Sequence, residues 1–242
     1  MSKIALVTGA NTGLGLETAR QLAERGDIHV ILTARDPAKG AAAARQLVED
    51  GLDVEALALD VTDAESIASA ARSVQSRFGH LDILVNNAGI SVRAGGPRVS
   101  AETLDAWRRT FDTNLFGLIA VTQAFLPMLR KSPAGRIVNL SSILGSITLH
   151  ADPTSPIYHY KVVAYDVSKT AVNAWTVHLA YELRNTAIKV NAAHPGHVKT
   201  GIGGPNAPLE VSEGAKTPVA LALLGPDGPS GTFVHLGRPI PW

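Results

Sequence analysis

The sequence predicts an α/β fold: a doubly wound, seven-stranded parallel sheet with helices on both faces. Three observations lead there. Short apolar runs alternate with helical periodicity from end to end, and that alternation calls for a parallel sheet covered on both sides. The first apolar run passes through a Gly-rich turn directly into a helical pattern. No linker, repeat or low-complexity tract interrupts the 242 residues, so one domain over 1–242 is expected.

Taken in order, Lys3 to Val7 is a short apolar run read as a buried strand over 3–8. Leu14, Thr18, Leu22 and Arg25 then recur at spacings of three and four, which predicts a helix over 14–25 that Gly26 ends. Further strands are read at 28–34, 54–59, 81–86, 135–141, 187–193 and 231–236. The helices between and after them are 37–50, 64–78, 102–131, 165–185 and 211–224. Three irregular stretches, 89–100, 143–164 and 195–210, each follow the C-terminal end of a strand. Ligands bind at that end of open α/β sheets, and loops there carry function.

Composition narrows the function classes. A formal charge of +1 with scattered Lys and Arg forms no basic stripe, so nucleic acid is not the expected partner. Cysteine is absent, which excludes disulfides, thiolate catalysis and a Cys-based zinc site. MSKIALVTG runs straight into a core strand, so no signal peptide is expected. No apolar stretch approaches the roughly 18 residues that span a bilayer, so a soluble, cytoplasmic protein is expected.

Two motifs carry chemistry. The turn TGANTGLG at 8–15 lies between strand and helix, the context in which a nucleotide fingerprint has meaning. Gly9 permits a tight turn, Gly13 lets the backbone approach a pyrophosphate, and Gly15 lets helix and strand pack closely. The helix N-terminus then presents free N–H groups and a positive dipole end to phosphates. At the far end, Tyr165 precedes Lys169 by four residues, so on a helix both share one face. An ammonium beside a phenol favours the phenolate and is expected to lower the tyrosine pKa. That makes the hydroxyl a usable acid or base.

Four more segments complete a pattern: Asn86-Asn87-Ala88-Gly89, Asp112-Thr113-Asn114-Leu115-Phe116-Gly117, Asn139-Leu140-Ser141-Ser142, and Pro195-Gly196 through Val198 to Thr200. With the Gly-rich turn and Tyr165-x-x-Ser168-Lys169, their order, spacing and placement at strand ends resemble the short-chain dehydrogenase/reductase family along nearly the whole chain. The resemblance implies a Rossmann-type domain that binds NADP at Gly9, Asn11, Thr12, Gly13, Leu14, Gly15, Arg35, Asp60, Val61, Asn87, Ala88 and Gly89. It extends that surface to Tyr165, Lys169, Pro195, Gly196, Val198 and Thr200. Catalysis would fall to Asn114, Ser142, Tyr165 and Lys169. Tyr165 would be the acid in reduction, Lys169 would hold the nicotinamide ribose, and Ser142 would bond the substrate oxygen. Asn114 would hold a water linking Lys169 to solvent. Ser141 is the alternative to Ser142, Asn114 could instead mark a helix kink, and Asp60 either lines the adenine edge or caps the next helix.

Cofactor choice turns on the end of the second strand. Ala34 stands at the tip where a carboxylate would repel a 2′-phosphate, and Arg35 next to it offers planar bidentate donation to one. Asp36 is read as a cap for the helix opening at Pro37. An insertion at about 146–162 would sit over the site and shape the pocket through Tyr158, His159 and Tyr160. That insertion, the short segment after Thr200 and the LTARD sequence resemble the carbonyl reductase branch, whose inserts tend to be longer. His150, His159, His194 and His197 show no metal-type spacing and read as polar loop residues; no metal site is expected. Trp242 is read as surface packing.

The expected function is NADPH-dependent reduction of an aldehyde, ketone or quinone. Oxidation of a secondary alcohol uses the same residues in reverse. A non-catalytic NADP-binding redox sensor is the reading from another class, and retention of Tyr165, Lys169 and Ser142 speaks against it. The partner is a small molecule rather than a nucleic acid or membrane, and monomer and homo-oligomer both stay open.

Overall fold

The computed structural model describes residues 2–95 and 98–242. The pocket segment read at 91–98 therefore includes two residues, Gly96 and Pro97, that lie outside the described residues.

The strands are β1 (Lys3–Val7), β2 (Ile28–Ala34), β3 (Val54–Ala58), β4 (Ile83–Asn86), β5 (Arg136–Leu140), β6 (Lys189–Ala193), β7 (Phe233–His235) and β8 (Arg238–Pro239). They form one sheet in the order β3-β2-β1-β4-β5-β6-β7-β8. The seven parallel strands read from the sequence are present, and β8 adds an antiparallel eighth at the edge beyond β7. Leu236 and Gly237 connect them with φ of 46° and 74°, the pair of positive values that a two-residue hairpin turn requires. A strand of two residues that contains Pro239 gives no periodicity to read, and Pro is tolerated at an edge.

The helices are α1 (Gly13–Ala23), α2 (Pro37–Glu49), α3 (Ala64–Phe78), α4 (Leu104–Phe111), α5 (Leu118–Leu129), α6 (Ile147–Ala151), α7 (Val163–Glu182), α8 (Val211–Gly214) and α9 (Lys216–Ala222). Successive residues of β1 point to opposite faces, as strand geometry demands. Ala5 and Val7 join a core with Ala19 and Leu22 of α1 and Ala43, Ala44 and Leu47 of α2. Ile4 and Leu6 join the opposite core with Val74 of α3, Phe125 of α5 and Leu179 of α7.

The sequence reading of one helix over 102–131 is corrected by the structure. A π-helical segment, Asp112–Gly117, separates α4 from α5. A Cβ on Gly117 would stand 2.6 Å from the Val61 carbonyl oxygen, so only glycine lets this segment lie against the loop after β3. The insertion also holds a short helix, α6, that the sequence does not show. Ser146 caps it by accepting from the Leu149 N–H. Thr148 N–H donates to the Trp242 carbonyl at 2.9 Å, and the Trp242 ring stacks on Phe233 at 5.6 Å.

Strand β1 pairs with β2 on one side and β4 on the other, so chain direction across the sheet reverses there. That is the switch point where a doubly wound sheet opens a crevice at its C-terminal edge.

Candidate active site

At the end of β1 the chain turns through Gly9 and Gly13, whose φ values of 61° and 55° are open to glycine and strained for other residues. A Cβ on Gly15 would overlap the Asn87 amide nitrogen and lie 2.6 Å from the Gly9 carbonyl oxygen. Thr12 precedes α1 in an extended conformation and caps it with no side-chain bond, while Asn11 and Leu14 stand half-buried beside it. Among the described residues no side chain caps the first N–H groups of α1, the arrangement that binds anions.

Thr8 does not stand out in the sequence, yet it ties this turn to the next strand. Its hydroxyl accepts from Asn87 N–H at 2.9 Å and from Ala88 N–H at 3.0 Å. Asn87 returns the brace, donating its side-chain amide to the Thr8 and Gly9 carbonyls at 2.8 and 3.1 Å. Both amide protons are therefore spent on the turn. The sequence signal for Thr8 is no more than its place as the last residue before the glycines.

At the tip of β2, Arg35 is exposed, and among the described residues no carboxylate forms an ion pair with it. Asp36 is engaged elsewhere, accepting from Ala38 and Lys39 N–H at 3.0 and 3.2 Å to cap α2. After β3, Asp60 accepts from both the N–H and the hydroxyl of Thr62. The cap of α3 is Asp63, so capping by Asp60 is not what the structure shows. Val61 is buried, its carbonyl facing Gly117.

Helix α7 brings Tyr165 and Lys169 together inside the protein, at 8% and 4% exposure. The Lys169 ammonium lies 5.6 Å from the centre of the Tyr165 ring and donates to the Leu140 carbonyl at 2.6 Å. The expected lowering of the phenol pKa is reversed. Burial pushes Tyr165 up to about 12, with Asp166 and Tyr160 adding to the rise and Ser142 opposing it. Burial also draws Lys169 down to about 8. Desolvation penalises both charged forms, and it is the largest influence on each.

Ser142, not Ser141, faces the phenol. Ser141 turns inward and donates to Asn173 Oδ1 at 2.6 Å. The turn after Ser142 is docked on α7: Gly145 carbonyl accepts from Thr170 and Asn173, at 3.0 and 3.1 Å. A Cβ on Gly145 would sit 2.8 Å from the Lys169 carbonyl carbon, so the docking also depends on glycine.

Asn114 is fully buried within the π-helical segment. Its Oδ1 accepts from Ile90 N–H at 2.8 Å, while its amide donates to Ile90 O and Ser168 Oγ at 2.9 and 3.0 Å. It clamps the segment after β4 to α7, and both amide protons are used in doing so. Gly89 lies between these groups, since a Cβ there would be 3.4 Å from Asn114 Oδ1 and 3.6 Å from Lys169 Nζ.

After β6, Gly196 takes a φ of 91°. Pro195 and Gly196 lead to Val198, whose strand-like bridge with Leu209 fixes the segment. Thr200 arrives opposite the Gly-rich turn, where a Cβ on Gly13 would meet its methyl at 3.6 Å. His194 lies in the loop directly after β6, as read, but it is buried, and its ring lies 5.0 Å from that of His235. His150 of α6 is likewise engaged, with one ring nitrogen at the Leu144 carbonyl and the other at Lys161 Nζ. Neither interaction has a signal in the sequence, because the partners lie on other elements. No group of three or more metal-ligating side chains occurs among the described residues.

A cleft of about 550 Å³ opens beside this cluster, lined by Gly89, Ile90, Ser91, Arg93, Gly201 and Ile202. Arg93 donates to the Tyr160 hydroxyl at 2.8 Å, which joins the insertion to the rim. Tyr158 packs edge-on against His159. Among the described residues, no helix is long and apolar enough to cross a membrane.

The sequence profile of the short chain dehydrogenase family matches residues 3–208. A short-chain dehydrogenase of Penicillium roqueforti is 39% identical over 92% of this chain and 89% of its own. Carbonyl reductase (NADPH) 1 of Homo sapiens is 35% identical over 99% of this chain and 98% of its own. That alignment runs over 279 positions, so the human enzyme carries segments that these 242 residues lack. The NADPH-bound carbonyl reductase from chicken fatty liver superposes with a TM-score of 0.87 at 32% identity, covering 100% of this chain and 99% of its own.

Proposed function

This chain belongs to the short-chain dehydrogenase family, in the branch of the carbonyl reductases, and from that premise we propose that it reduces a carbonyl compound with NADPH, Tyr165 giving the proton. The observation that carries the reading is the convergence of Tyr165, Ser142 and Lys169 near Gly89, which lines the cleft.

The residues present fit the cofactor. A turn through Gly9 and Gly13 at positive φ, an α1 whose N-cap makes no side-chain bond and the exposed Arg35 supply the shape and charge for a phosphorylated dinucleotide. Gly9 to Gly15 would hold the pyrophosphate and Arg35 the 2′-phosphate. Asp60, Val61 and Asn87 to Gly89 would line the adenosine and ribose side. Pro195, Gly196, Val198 and Thr200 would line the nicotinamide end. NADPH supplies a hydride when bound.

The protein's own groups do the rest. A phenol with a pKa of about 12 keeps its proton at neutral pH, so Tyr165 is prepared to donate it to a carbonyl oxygen. Ser142 is placed to hydrogen-bond the oxygen as negative charge develops on it. Lys169, buried and held by Leu140 O, would orient the ribose beside the phenol. Closing reactants into one cleft removes the orientational cost of the encounter.

The test follows oxidation of NADPH and NADH side by side against aldehydes, ketones and quinones. NADPH is expected to be preferred, and Arg35→Ala should lower its kcat/KM by about 10- to 100-fold, as expected for a hydrogen bond to a charged group. NADH turnover should not change. Equal use of both cofactors by the wild-type protein would refute the role given to Arg35. The two serines separate in the same assay. Ser142→Ala should lower kcat by about 10²- to 10³-fold. Ser141→Ala should leave kcat intact and cost about 1 kcal/mol in unfolding, the loss of a buried hydrogen bond. The opposite pattern would transfer the role to Ser141.

A further inference from the structure

We propose that His194 is a positioning residue whose neutral ring ties the loop carrying Ser142 to the loop that runs from Pro195 to Thr200. The proposal rests on the reductase reading above and deepens it.

His194 follows β6 immediately and is 8% exposed. Its Nδ1 accepts from Ile143 N–H at 3.2 Å, the amide directly after Ser142. The same atom accepts from Gly196 N–H at 3.4 Å. Two different active-site loops therefore share one acceptor. An Nδ1 that accepts from two amides carries no proton, so the ring is neutral with its proton on Nε2. Burial and the neighbouring His235 hold the pKa down to about 3, consistent with that tautomer at all ordinary pH.

The ring is itself held. His235 of β7 lies against it, and the His235 Nδ1–H donates to the His194 carbonyl at 2.9 Å. Behind them, a Cβ on Gly196 would be 3.1 Å from His235 Cε1, so the packing is tight. Ser142 is thus secured from two directions, by Gly145 docked on α7 and by Ile143 bonded to His194. The second loop reaches Thr200 opposite Gly13. By fixing these loops to each other, His194 sets where the Ser142 hydroxyl stands relative to the segment assigned to the nicotinamide end. It makes no contact with the reacting atoms, and its effect passes through Ser142.

Asn and Leu have nearly the same shape, and Asn places an oxygen at the same remove from Cα as Nδ1. The experiment compares His194→Asn and His194→Leu in the full chain, with His194→Ala replacing the Leu variant should that fail to fold. The first readout is hydrogen exchange without added cofactor. The Leu variant should speed exchange at Ile143 and Gly196 by about tenfold and leave β1 and β4 unchanged, whereas Asn should retain protection. The second readout is reduction of menadione with NADPH. The Leu variant should lose about tenfold in kcat with carbonyl KM within about twofold, and Asn should recover most of the loss. Equal behaviour of Asn and Leu in exchange, whether both protected or both exposed, would overturn the proposal. If the wild-type protein reduces neither menadione nor other carbonyls, the reductase reading fails, and the exchange pattern still decides whether His194 joins the loops.

Discussion

Replacing Tyr165 by Phe should lower turnover by about a thousandfold, within the range that a general acid contributes, while NADPH binding stays close to that of the wild-type protein. The substitution removes one hydroxyl and keeps the ring that packs beside Lys169. Ser142 keeps its place, because that is set by β5, Gly145 and α7 rather than by the phenol. What disappears is the buried acid beside Ser142 that holds its proton at neutral pH, its pKa being about 12. The neighbouring carboxyl, Asp166, is turned to the start of the helix, where its Oδ2 accepts from the Val162 N–H. Steady-state kinetics with a quinone, alongside NADPH binding measured by fluorescence, check both halves. A variant with wild-type kcat would refute the acid role. No turnover by the wild-type protein, with NADPH binding retained, would instead return attention to a protein that senses the cofactor without turning it over.

The second large effect is expected at Gly15. In Gly15→Ala the new methyl would overlap the Asn87 amide and lie within 3.0 Å of the Gly9 carbonyl oxygen and Ala10 Cα. Two of those three contacts are backbone, which cannot rotate aside. The Asn87 amide cannot leave without giving up its bonds to Thr8 and Gly9. Overpacking of this kind costs about 1–3 kcal/mol, and relief must come from a shift of the turn that faces the pyrophosphate. NADPH affinity should fall by at least about 100-fold, because several N–H contacts lose alignment together. Gly225→Ala is the control, since its Cβ would meet nothing within 4 Å and its φ is not positive. Titration with NADPH and thermal unfolding of both variants decide the matter. Equal affinity in the Gly15 variant and the wild type would mean that the cofactor does not rest on this turn.

Both predictions use residues that stand out in the sequence, and there is a reason they do. Gly9 and Gly13 need positive φ, and Gly15 needs the absence of a side chain, so residue type itself records the backbone requirement. Tyr165 and Lys169 are four apart on one helix, so chain geometry alone puts them on one face. Strand identity is legible for a similar reason. Buried parallel strands are short apolar runs, and seven of the eight strands carry one, whereas Arg238–Pro239 carries none.

Other features lie beyond any local signal. A π-helical segment interrupts α4 and α5, and the Gly117 that ends it lies against Val61, fifty-six positions away along the chain. His194 reads as polar and is a buried acceptor, since its partners Ile143 and His235 come from other parts of the chain. The direction of the Tyr165 shift is also opposite to the one its spacing suggests. Spacing reveals that an ammonium is near, but not that both groups are buried, and burial is the larger influence.

By itself, then, the sequence determined the seven parallel strands, the glycine turn and the two residues that share a face of α7, because each depends on local backbone geometry and periodicity. Only the tertiary structure decided which serine faces the phenol, what Asn87, Asn114 and His194 hold in place, and which way the phenol titrates. Those depend on distances between strands and on the exclusion of water, and both exist only once the chain has closed on itself.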